Sequence, residues 1–242
     1  MARSSGKSRA NDVKYMFTRI ARRYDLVNRW MTWGQDLRWR REVLNLTTLP
    51  VGGRLLDVGT GTGDLVLKAW QQDKSLLAVG ADFTPAMMHQ GRLRPGGDSI
   101  QWVSSDALDL PFMEGSFDAV VSAYLLRNVV DVERSLTEQY RVLKHGCPVV
   151  CLDTTPPPGD FWHFPVRLYL RHIVPLIGKL IAGDIQAYEY LPQSTERFIG
   201  VEALASCMLR VGFRDVQFRR FMGGAMAIHW GVKWVNTISI CG

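Results

Sequence analysis

The chain has 242 residues, 47% of them hydrophobic, and its 29 basic and 23 acidic residues leave a net charge of +6. These values fit one globular α/β domain and exclude a disordered chain. The sequence contains no run of 18 uncharged apolar residues, so it predicts no membrane-spanning helix.

The first 50 residues are predicted to form a helical leader. Apolar residues recur at helical spacing between residues 10 and 30, and a second helix is predicted over residues 36–46. The basic, polar residues before them lack the apolar core of a secretory signal and predict a frayed tail. Residues 1–50 are therefore expected to cap a domain that occupies residues 51–242.

From residue 54 onward, strand and helix patterns alternate. The predicted strands cover residues 54–58, 76–82, 100–104, 117–123 and 148–153, and the predicted helices cover residues 65–72, 85–92 and 132–143. This alternation indicates a parallel sheet with right-handed crossovers and helices on both faces. Three prolines and Gly159 then interrupt the pattern, and an inserted helical lid is predicted at about residues 156–193.

The last part of the chain is predicted to end the sheet with a hairpin. A helix is predicted over residues 200–211, and two strands, 216–221 and 225–232, flank the glycine pair at 223–224. The complete prediction is an α/β fold: a seven-stranded, mostly parallel, Rossmann-like sheet with a C-terminal antiparallel hairpin. This is the arrangement of class I methyltransferases.

A glycine-rich loop follows the first predicted strand, with Gly59, Gly61 and Gly63 at alternate positions. Such a loop lets a ligand lie against the backbone, and the next helix can receive an anionic group at its N-terminus. The dinucleotide pattern G-x-G-x-x-G would need glycine where the chain has Asp64. Acids on both sides of the loop, Asp57 and Asp64, suit a ligand with cationic parts, such as S-adenosylmethionine.

Further candidates lie at strand ends, where doubly wound sheets bind their ligands. Asp82 ends the second strand, where an acid accepts hydrogen bonds from ribose hydroxyls. Asp106 follows the third strand and can accept from an adenine amino group, supported by the backbone of Ala107. Ser122 ends the fourth strand. A single aspartate is often only a turn former, but the ordered set with Asp57 and the three glycines predicts a cofactor site.

Several longer segments resemble the ubiquinone/menaquinone biosynthesis C-methyltransferases, the UbiE-like family. Residues 24–39, which begin Tyr-Asp-Leu-Val-Asn-Arg-Trp, resemble its first signature, and residues 141–146, Arg-Val-Leu-Lys-His-Gly, resemble its second. The Leu-Arg-Asn at 126–128 and the segments 187–194 and 223–229 are also similar to this family. The resemblance covers about residues 13–233.

The resemblance implies S-adenosylmethionine as cofactor and a ring carbon of a prenylated quinol as methyl acceptor. It maps the cofactor contacts onto Thr62, Asp82, Asp106 with Ala107, and Ser122. No metal site is predicted, and the lack of a stacking-aromatic motif or an appended RNA-binding module predicts no nucleic acid partner. The oligomeric state is left open, with a homodimer as one expectation, and the four cysteines, none in C-x-x-C spacing, indicate free thiols in a reducing, cytoplasmic setting.

Methylation of a ring carbon requires stabilisation of the phenolate that activates it. Arg127 is the first candidate because its charge is permanent; the alternative is an ion pair with Asp131. Asn128 is expected to orient the substrate hydroxyl, or else to cap a helix. Tyr24 is a substrate contact or a buried aromatic residue. Proton removal is assigned to a water relay, Asp153 or His163.

Five positions depart from the family's pattern and leave the acceptor open. These positions are Asp36, Leu125, His145, Cys147 and Asp153. They keep two alternatives in view: a methyltransferase for another apolar small molecule, and a non-catalytic accessory subunit that binds S-adenosylmethionine.

Two apolar regions are candidates for contact with the substrate's prenyl tail. Residues 161–182 combine basic, aromatic and apolar residues, which suits contact with the inner face of a membrane or a lid; the alternative is a helix pair that covers the sheet edge. Trp30, Trp33 and Trp39 are candidates to line a path for the tail, with core packing as the alternative for at least one.

Overall fold

The computed structural model describes residues 2–156, 168, 169, 173, 190 and 193–234. Its strands are β1 (Arg54–Val58), β2 (Leu77–Asp82), β3 (Gln101–Ser104), β4 (Ala119–Ala123), β5 (Pro148–Thr154), β6 (Phe213–Phe221) and β7 (Met226–Lys233). Its main helices are α1 (Ala2–Ile20), α2 (Tyr24–Met31), α3 (Asp36–Leu46), α4 (Asp64–Gln72), α5 (Pro85–Arg92), α6 (Val132–Val142) and α7 (Val201–Val211).

All seven strands belong to one sheet in the order β3-β2-β1-β4-β5-β7-β6. Strands β1 to β5 pair in parallel, and β7 runs antiparallel to both β5 and β6. The predicted α/β fold with its C-terminal hairpin is therefore confirmed. Strand β6 begins at Phe213, three residues before the prediction, because an irregularity between Arg214 and Gln217 breaks the alternation that the sequence pattern relies on.

The core lies on both faces of the sheet because neighbouring residues of a strand point to opposite sides. Leu56 of β1 packs on one face with residues of α6 and α7, among them Leu136 and Met208. Leu55 packs on the other face with Leu65 of α4 and with α3. The sheet is thereby covered on both faces, as the alternating pattern predicted.

The leader consists of three helices. The predicted helix over residues 10–30 is divided by a turn at residues 21–23, and α2 starts at Tyr24. The prediction of a frayed tail was wrong, since α1 continues back to Ala2. In α3, Trp39 and Val43 are fully buried in the core cluster that also contains residues of β5. No helix in the described residues is both long and apolar enough to cross a membrane.

Candidate functional site

A cavity of about 710 Å³ lies at the carboxyl ends of β1 to β4. The residues after these strands form its floor, among them Gly59, Asp82 and Asp106, and Val13, Lys14 and Phe17 of α1 form another wall. Tyr24 of α2 and Asn128 also line it. The leader is thus part of the cavity wall, because α1 packs against α5 beside the glycine loop.

Gly59 and Gly61 line the cavity, and each requires the absence of a side chain. Both have positive φ, 69° and 57°, a conformation that favours glycine. A Cβ atom on Gly59 would lie 2.8 Å from Cδ1 of Leu125, whereas one on Gly61 would lie 3.3 Å from Cε of Met87. The loop backbone therefore forms the cavity surface at these two positions.

Gly63 has a different role from the first two glycines. It is not among the residues that line the cavity, and a Cβ atom there would lie 2.4 Å from the indole of Trp102. The same indole would collide with a Cβ atom on Gly91, and its Nε1 donates to the carbonyl of Gly97 at 2.9 Å. In this structure, Gly63 makes room for Trp102 between α4 and α5.

The carboxylate of Asp82 links β2 to the glycine loop and lines the cavity. One oxygen accepts from the backbone N–H of Gly61 at 2.8 Å, and the other accepts from that of Thr84 at 2.7 Å. Burial raises the pKa of Asp82, while these backbone hydrogen bonds work in the opposite direction. Each carboxylate oxygen keeps a lone pair that can accept from a ligand hydroxyl.

Asp57 is fully buried behind the loop and is not among the cavity-lining residues. Its Oδ2 accepts from the hydroxyl of Thr60 at 2.7 Å, whereas its Oδ1 has no hydrogen-bond partner within the described part of the chain. Burial raises the pKa of Asp57 to about 7, although the Thr60 hydrogen bond and the charge of Arg40 act to lower it.

The remaining predicted cofactor residues divide into two groups. Asp106 and Ala107 line the cavity, and Asp106 Oδ1 accepts from the backbone N–H of Leu108 at 2.9 Å. Thr62 and Ser122 do not line it. The Thr62 hydroxyl donates to Asp25 at 2.7 Å, and Ser122 is buried in β4, whose next residue, Ala123, lines the cavity instead.

Asp64 belongs to a network of charges that fastens the leader to the loop. Arg94 Nη1 lies 2.6 Å from Asp64 Oδ1, 3.4 Å from Asp25 Oδ2 and 3.1 Å from the carbonyl of Thr62. Arg40 of α3 lies 3.5 Å from Asp64 and 2.7 Å from Asp36. The carboxylate of Asp64, predicted to suit a cationic ligand, is therefore directed to protein guanidinium groups. Local sequence carried no sign of this network, which joins distant segments.

The alternative partner predicted for Arg127 was wrong. Arg127 is buried, its Nη1 lies 2.8 Å from Asp153 Oδ1, and its backbone N–H donates to Asp153 Oδ2 at 3.2 Å. Asp131 caps α6 instead, by accepting from the backbone N–H of Arg134. Arg127 Nε has no hydrogen-bond partner in the described residues.

Asn128 and Tyr24 both face the cavity. The Asn128 Nδ2 donates to the carbonyl of Tyr124 at 2.7 Å, so the residue does not cap α6, and its Oδ1 lacks a partner among the residues described. The Phe17 ring packs edge-on against Tyr24 at 5.7 Å. Burial raises the pKa of Tyr24, and the nearby charge of Arg127 partly offsets this effect.

Tyr124 was missed by the sequence analysis. Its ring lies 5.3 Å from the guanidinium carbon of Arg40 and 5.4 Å from that of Arg127, and the residue lines the cavity. Its φ of 59° is unusual for a bulky residue, and such outliers cluster at functional sites. The only signal in the sequence was its position directly after a predicted strand.

The positions that depart from the family's pattern have varied surroundings. Asp36 pairs with Arg40, Asp153 pairs with Arg127, and Leu125 packs against the glycine loop. His145 Nδ1 lies 2.5 Å from the carbonyl of Trp234, and Cys147 is half-buried. His163 lies outside the described residues, as does most of the predicted lid.

A profile of the ubiE/COQ5 methyltransferase family matches residues 4–233. The chain belongs to this family. Membership confirms the resemblance seen in the sequence, and with it the prediction of an S-adenosylmethionine-dependent methyltransferase.

Relatives named as methyltransferases of quinone biosynthesis align with nearly the whole chain. It is 45% identical to the ubiquinone/menaquinone biosynthesis C-methyltransferase UbiE of Desulfotalea psychrophila, over 93% of this chain and 92% of the relative. It is 42% identical to the demethylmenaquinone methyltransferase of Thermus thermophilus, over 89% of this chain and 99% of the relative.

Solved structures with lower identity share the fold. An S-adenosylmethionine-dependent methyltransferase from Thermotoga maritima aligns with a TM-score of 0.64 and 21% identity, over 91% of this chain and 99% of that one. Phosphoethanolamine N-methyltransferase 2 of Haemonchus contortus, in complex with S-adenosyl-L-methionine, aligns with a TM-score of 0.64 and 15% identity, over 87% of this chain and 56% of that one.

Proposed function

We propose that this protein methylates a ring carbon of a prenylated quinol, converting demethylmenaquinol to menaquinol with S-adenosylmethionine as methyl donor. The quinol of the ubiquinone pathway is a second candidate acceptor. One observation supports this most: a single cavity is lined by the glycine loop, Asp82 and Asp106 and also by Tyr24 and Asn128. A cofactor and an aromatic acceptor can therefore meet in one cavity.

The cavity suits S-adenosylmethionine, which supplies a methyl group on a sulfonium centre. Its volume falls in the range of small-molecule sites. The bare backbone at Gly59 and Gly61 provides a close approach, and Asp82 and Asp106 provide acceptors for ribose and adenine. We assign the buried Asp57 to the negative field beneath the cationic part of the ligand, in agreement with its unpartnered oxygen.

We assign the other predicted cofactor residues to the shape of the loop. Thr62 fixes the loop to α2 through Asp25, and Gly63 leaves room for the Trp102 indole to pack against the start of α4. Ser122 holds the end of β4 in the sheet, where it pairs in register with Val58. These residues position the backbone that contacts the cofactor.

The acceptor requires a phenolate, because charge from a deprotonated ring hydroxyl reaches the ring carbons. Arg127 is not among the residues that line the cavity, but its guanidinium carbon lies 5.4 Å from the ring of Tyr124, which does line it. We assign its permanent charge to stabilising this phenolate. The hydrogen bond from Nη1 to Asp153 orients the guanidinium, and a second hydrogen bond to Asp153 comes from the backbone N–H of Arg127. Asn128 orients the substrate hydroxyl through its unpartnered Oδ1. Tyr24 positions the ring against the cavity wall.

The ion pair between Arg127 and Asp153 also affects which group can act as the general base. Since Arg127 occupies both carboxylate oxygens of Asp153, Asp153 acts as a positioning residue. A water relay is then the better candidate for removal of the hydroxyl proton. The leader, residues 1–50, serves as a cap over the cavity, and residues 156–193 serve as a lid; a homodimer is compatible with this arrangement.

The direct test is methyl transfer to a reduced quinol. Purified protein is incubated with S-adenosylmethionine and chemically reduced demethylmenaquinone, and the quinones are analysed by mass spectrometry. The expected product is one methylene heavier and is methylated on carbon. Tight cofactor binding without transfer to any quinol would favour an accessory subunit, whereas transfer only to other apolar phenols would favour the alternative acceptor.

Mutation of Arg127 separates binding from chemistry. Arg127→Lys keeps the positive charge beside Asp153 but loses the rigid fork of donors. We expect unchanged S-adenosylmethionine affinity by calorimetry and a loss of turnover of about 100-fold, the range of one lost electrostatic donor. Equal turnover in the variant would contradict the assignment of Arg127.

A further inference from the structure

Helix α2 exposes apolar and aromatic residues beside its buried residues. Leu26 is 51% exposed and Trp30 is 62% exposed, while Val27 and Met31 are buried. Trp33, directly after the helix, is 80% exposed. We call Leu26, Trp30 and Trp33 the α2 face. Isolated exposed apolar residues are ordinary, but three large ones within two helical turns mark an interaction surface.

The backbone holds Trp33 outward at an energetic cost. Trp33 has a φ of 53°, and a bulky residue in this left-handed region is strained. The next residue, Gly34, also has positive φ, and its N–H donates to the carbonyl of Arg29 at 2.8 Å. The side chain of Trp33 gains little burial in return, although it forms a hydrogen bond with Tyr169.

Exposed basic residues flank the α2 face in the sequence, whereas the two acids of this segment are paired with arginines. Arg22, Arg38 and Arg41 are exposed, and the side chain of Arg29 is 37% exposed. Asp36 is buried against Arg40, and Asp25 pairs with Arg94. Residues 22–41 therefore present exposed apolar side chains together with exposed arginines.

A neighbouring contact extends this surface beyond the leader. The hydroxyl of Tyr169 donates to the carbonyl of Met31 at 2.6 Å, which fastens residue 169 to the end of α2. Leu168, its neighbour in the chain, is 50% exposed. Two segments that are distant in sequence thus contribute apolar side chains near the same helix end.

We propose that the α2 face binds the surface of a membrane that contains anionic lipids. Tryptophan favours the membrane–water interface, and arginines beside it are attracted to anionic headgroups. The other side of α2 carries Tyr24, which lines the cavity. This inference rests on the proposed function. Binding of the α2 face to a membrane would bring the cavity wall close to the lipid bilayer, in which the prenyl tail of the substrate resides.

A second copy of this chain is a poorer match for this surface. A two-fold interface would bring the same arginines of two protomers together, and like charges repel. An anionic lipid surface complements both the exposed aromatic residues and the exposed arginines. The observations therefore favour lipid over self-association.

Vesicle sedimentation tests this inference. The full-length protein is mixed with vesicles of phosphatidylcholine alone, or with phosphatidylglycerol added, at low and high salt. We expect sedimentation with the anionic vesicles at low salt and a decrease at high salt. Trp30→Gln with Trp33→Gln is expected to lower the partition coefficient about tenfold. The matched control is Trp234→Gln, an exposed tryptophan at the end of β7.

Two activity measurements separate this inference from the proposed function. The double variant should methylate a short-chain, water-soluble quinol like the wild type but lose activity on a long-chain quinol in anionic vesicles. Equal partition of wild type and double variant would overturn the inference, and so would tryptophan-dependent dimerisation without vesicle binding. Failure of the wild type on the soluble quinol would instead count against the proposed acceptor.

Discussion

At the scale of single residues, Asp57 shows how a buried carboxyl shapes the pH dependence of stability. Its folded-state pKa of about 7 lies well above the unfolded value of about 3.9. Between these two pH values the folded protein binds more protons than the unfolded protein. The contribution of Asp57 to stability therefore falls as pH rises from about 4 to about 7.

Asp57→Asn removes this dependence, because an amide carries no charge and can still accept from Thr60. We expect the melting temperature of the variant to exceed that of the wild type at pH 8 by several degrees, and the difference to shrink toward pH 5. Its affinity for S-adenosylmethionine should fall. Thermal unfolding across this pH range measures the first effect and calorimetry the second.

The matched control is Asp73→Asn. Asp73 lies partly exposed at the end of α4, and hydrogen bonds from Ser75 lower its pKa, so it contributes no destabilising charge at pH 8. This variant should not raise the melting temperature there. A gain from Asp57→Asn that does not change with pH would contradict the burial argument.

Tyr124 has a ring that contacts two arginines and a hydroxyl group without a hydrogen-bond partner in the described residues. The hydroxyl is buried and, within the described residues, has no hydrogen-bond partner. Tyr124→Phe keeps the ring beside Arg40 and Arg127 and removes the polar atom. We expect urea unfolding to show a gain of about 1 kcal/mol for this variant, whereas Tyr124→Leu, which loses the aromatic ring, should lose stability. A loss in Tyr124→Phe would reveal a partner for the hydroxyl.

At the scale of elements, the glycine loop can be tested with a matched pair of glycines. Gly34 and Gly59 have nearly equal positive φ, 72° and 69°. A Cβ atom on Gly34 meets nothing within 4 Å, whereas one on Gly59 meets Leu125 at 2.8 Å. Alanine at either position costs about 1 kcal/mol of backbone strain, but only alanine at 59 also collides with Leu125, two residues after β4.

We therefore expect Gly34→Ala to keep cofactor affinity and Gly59→Ala to lose it. Adding Leu125→Ala to Gly59→Ala should restore part of the affinity, because it removes the colliding side chain. Calorimetry with S-adenosylmethionine compares the three proteins. Equal affinity of the two glycine variants would show that the close approach at Gly59 is not needed.

The elements also show which features a sequence can predict. Strand alternation and the glycine pair at 223–224 predicted the sheet and its hairpin, because both patterns are local. The role of Gly63 was not visible, since it depends on Trp102 from a strand distant in sequence. Ser122 was predicted from its position near the end of β4, but the sequence does not show which of two neighbouring residues faces the cavity, and in the structure Ala123 lines it.

At the scale of the whole molecule, the leader and the sheet form one unit through buried charges. Arg40 of α3 is only 5% exposed and lies between Asp36 of the leader and Asp64 at the start of α4. Arg94 continues the network from Asp64 to Asp25 of α2. The cavity wall formed by α1 and α2 is thus held in place by ion pairs with the start of α4, directly after the glycine loop.

This network predicts that substitutions of two arginines, each in an ion pair with a residue of α3 or within α3, differ widely in their effect on the free energy of unfolding. Arg40→Met leaves Asp36 and Asp64 without their shared buried cation, and a loss of roughly 3–5 kcal/mol in unfolding free energy is expected. Arg219→Met removes an exposed partner of Glu42, which joins α3 to β6, and should cost about 1 kcal/mol or less. Urea unfolding compares both variants with the wild type.

The same pair of variants tests whether the leader supports cofactor binding. Because Arg40 fastens the leader to the loop, Arg40→Met should weaken S-adenosylmethionine affinity under conditions in which the variant is still folded, and Arg219→Met should not. Proteolysis within residues 21–35 should also accelerate in the first variant only, since local opening exposes that segment. Equal losses in both variants would mean that burial of the ion pairs does not set their contribution, and the leader would then be held by the apolar contacts of Trp39 and Val43 alone.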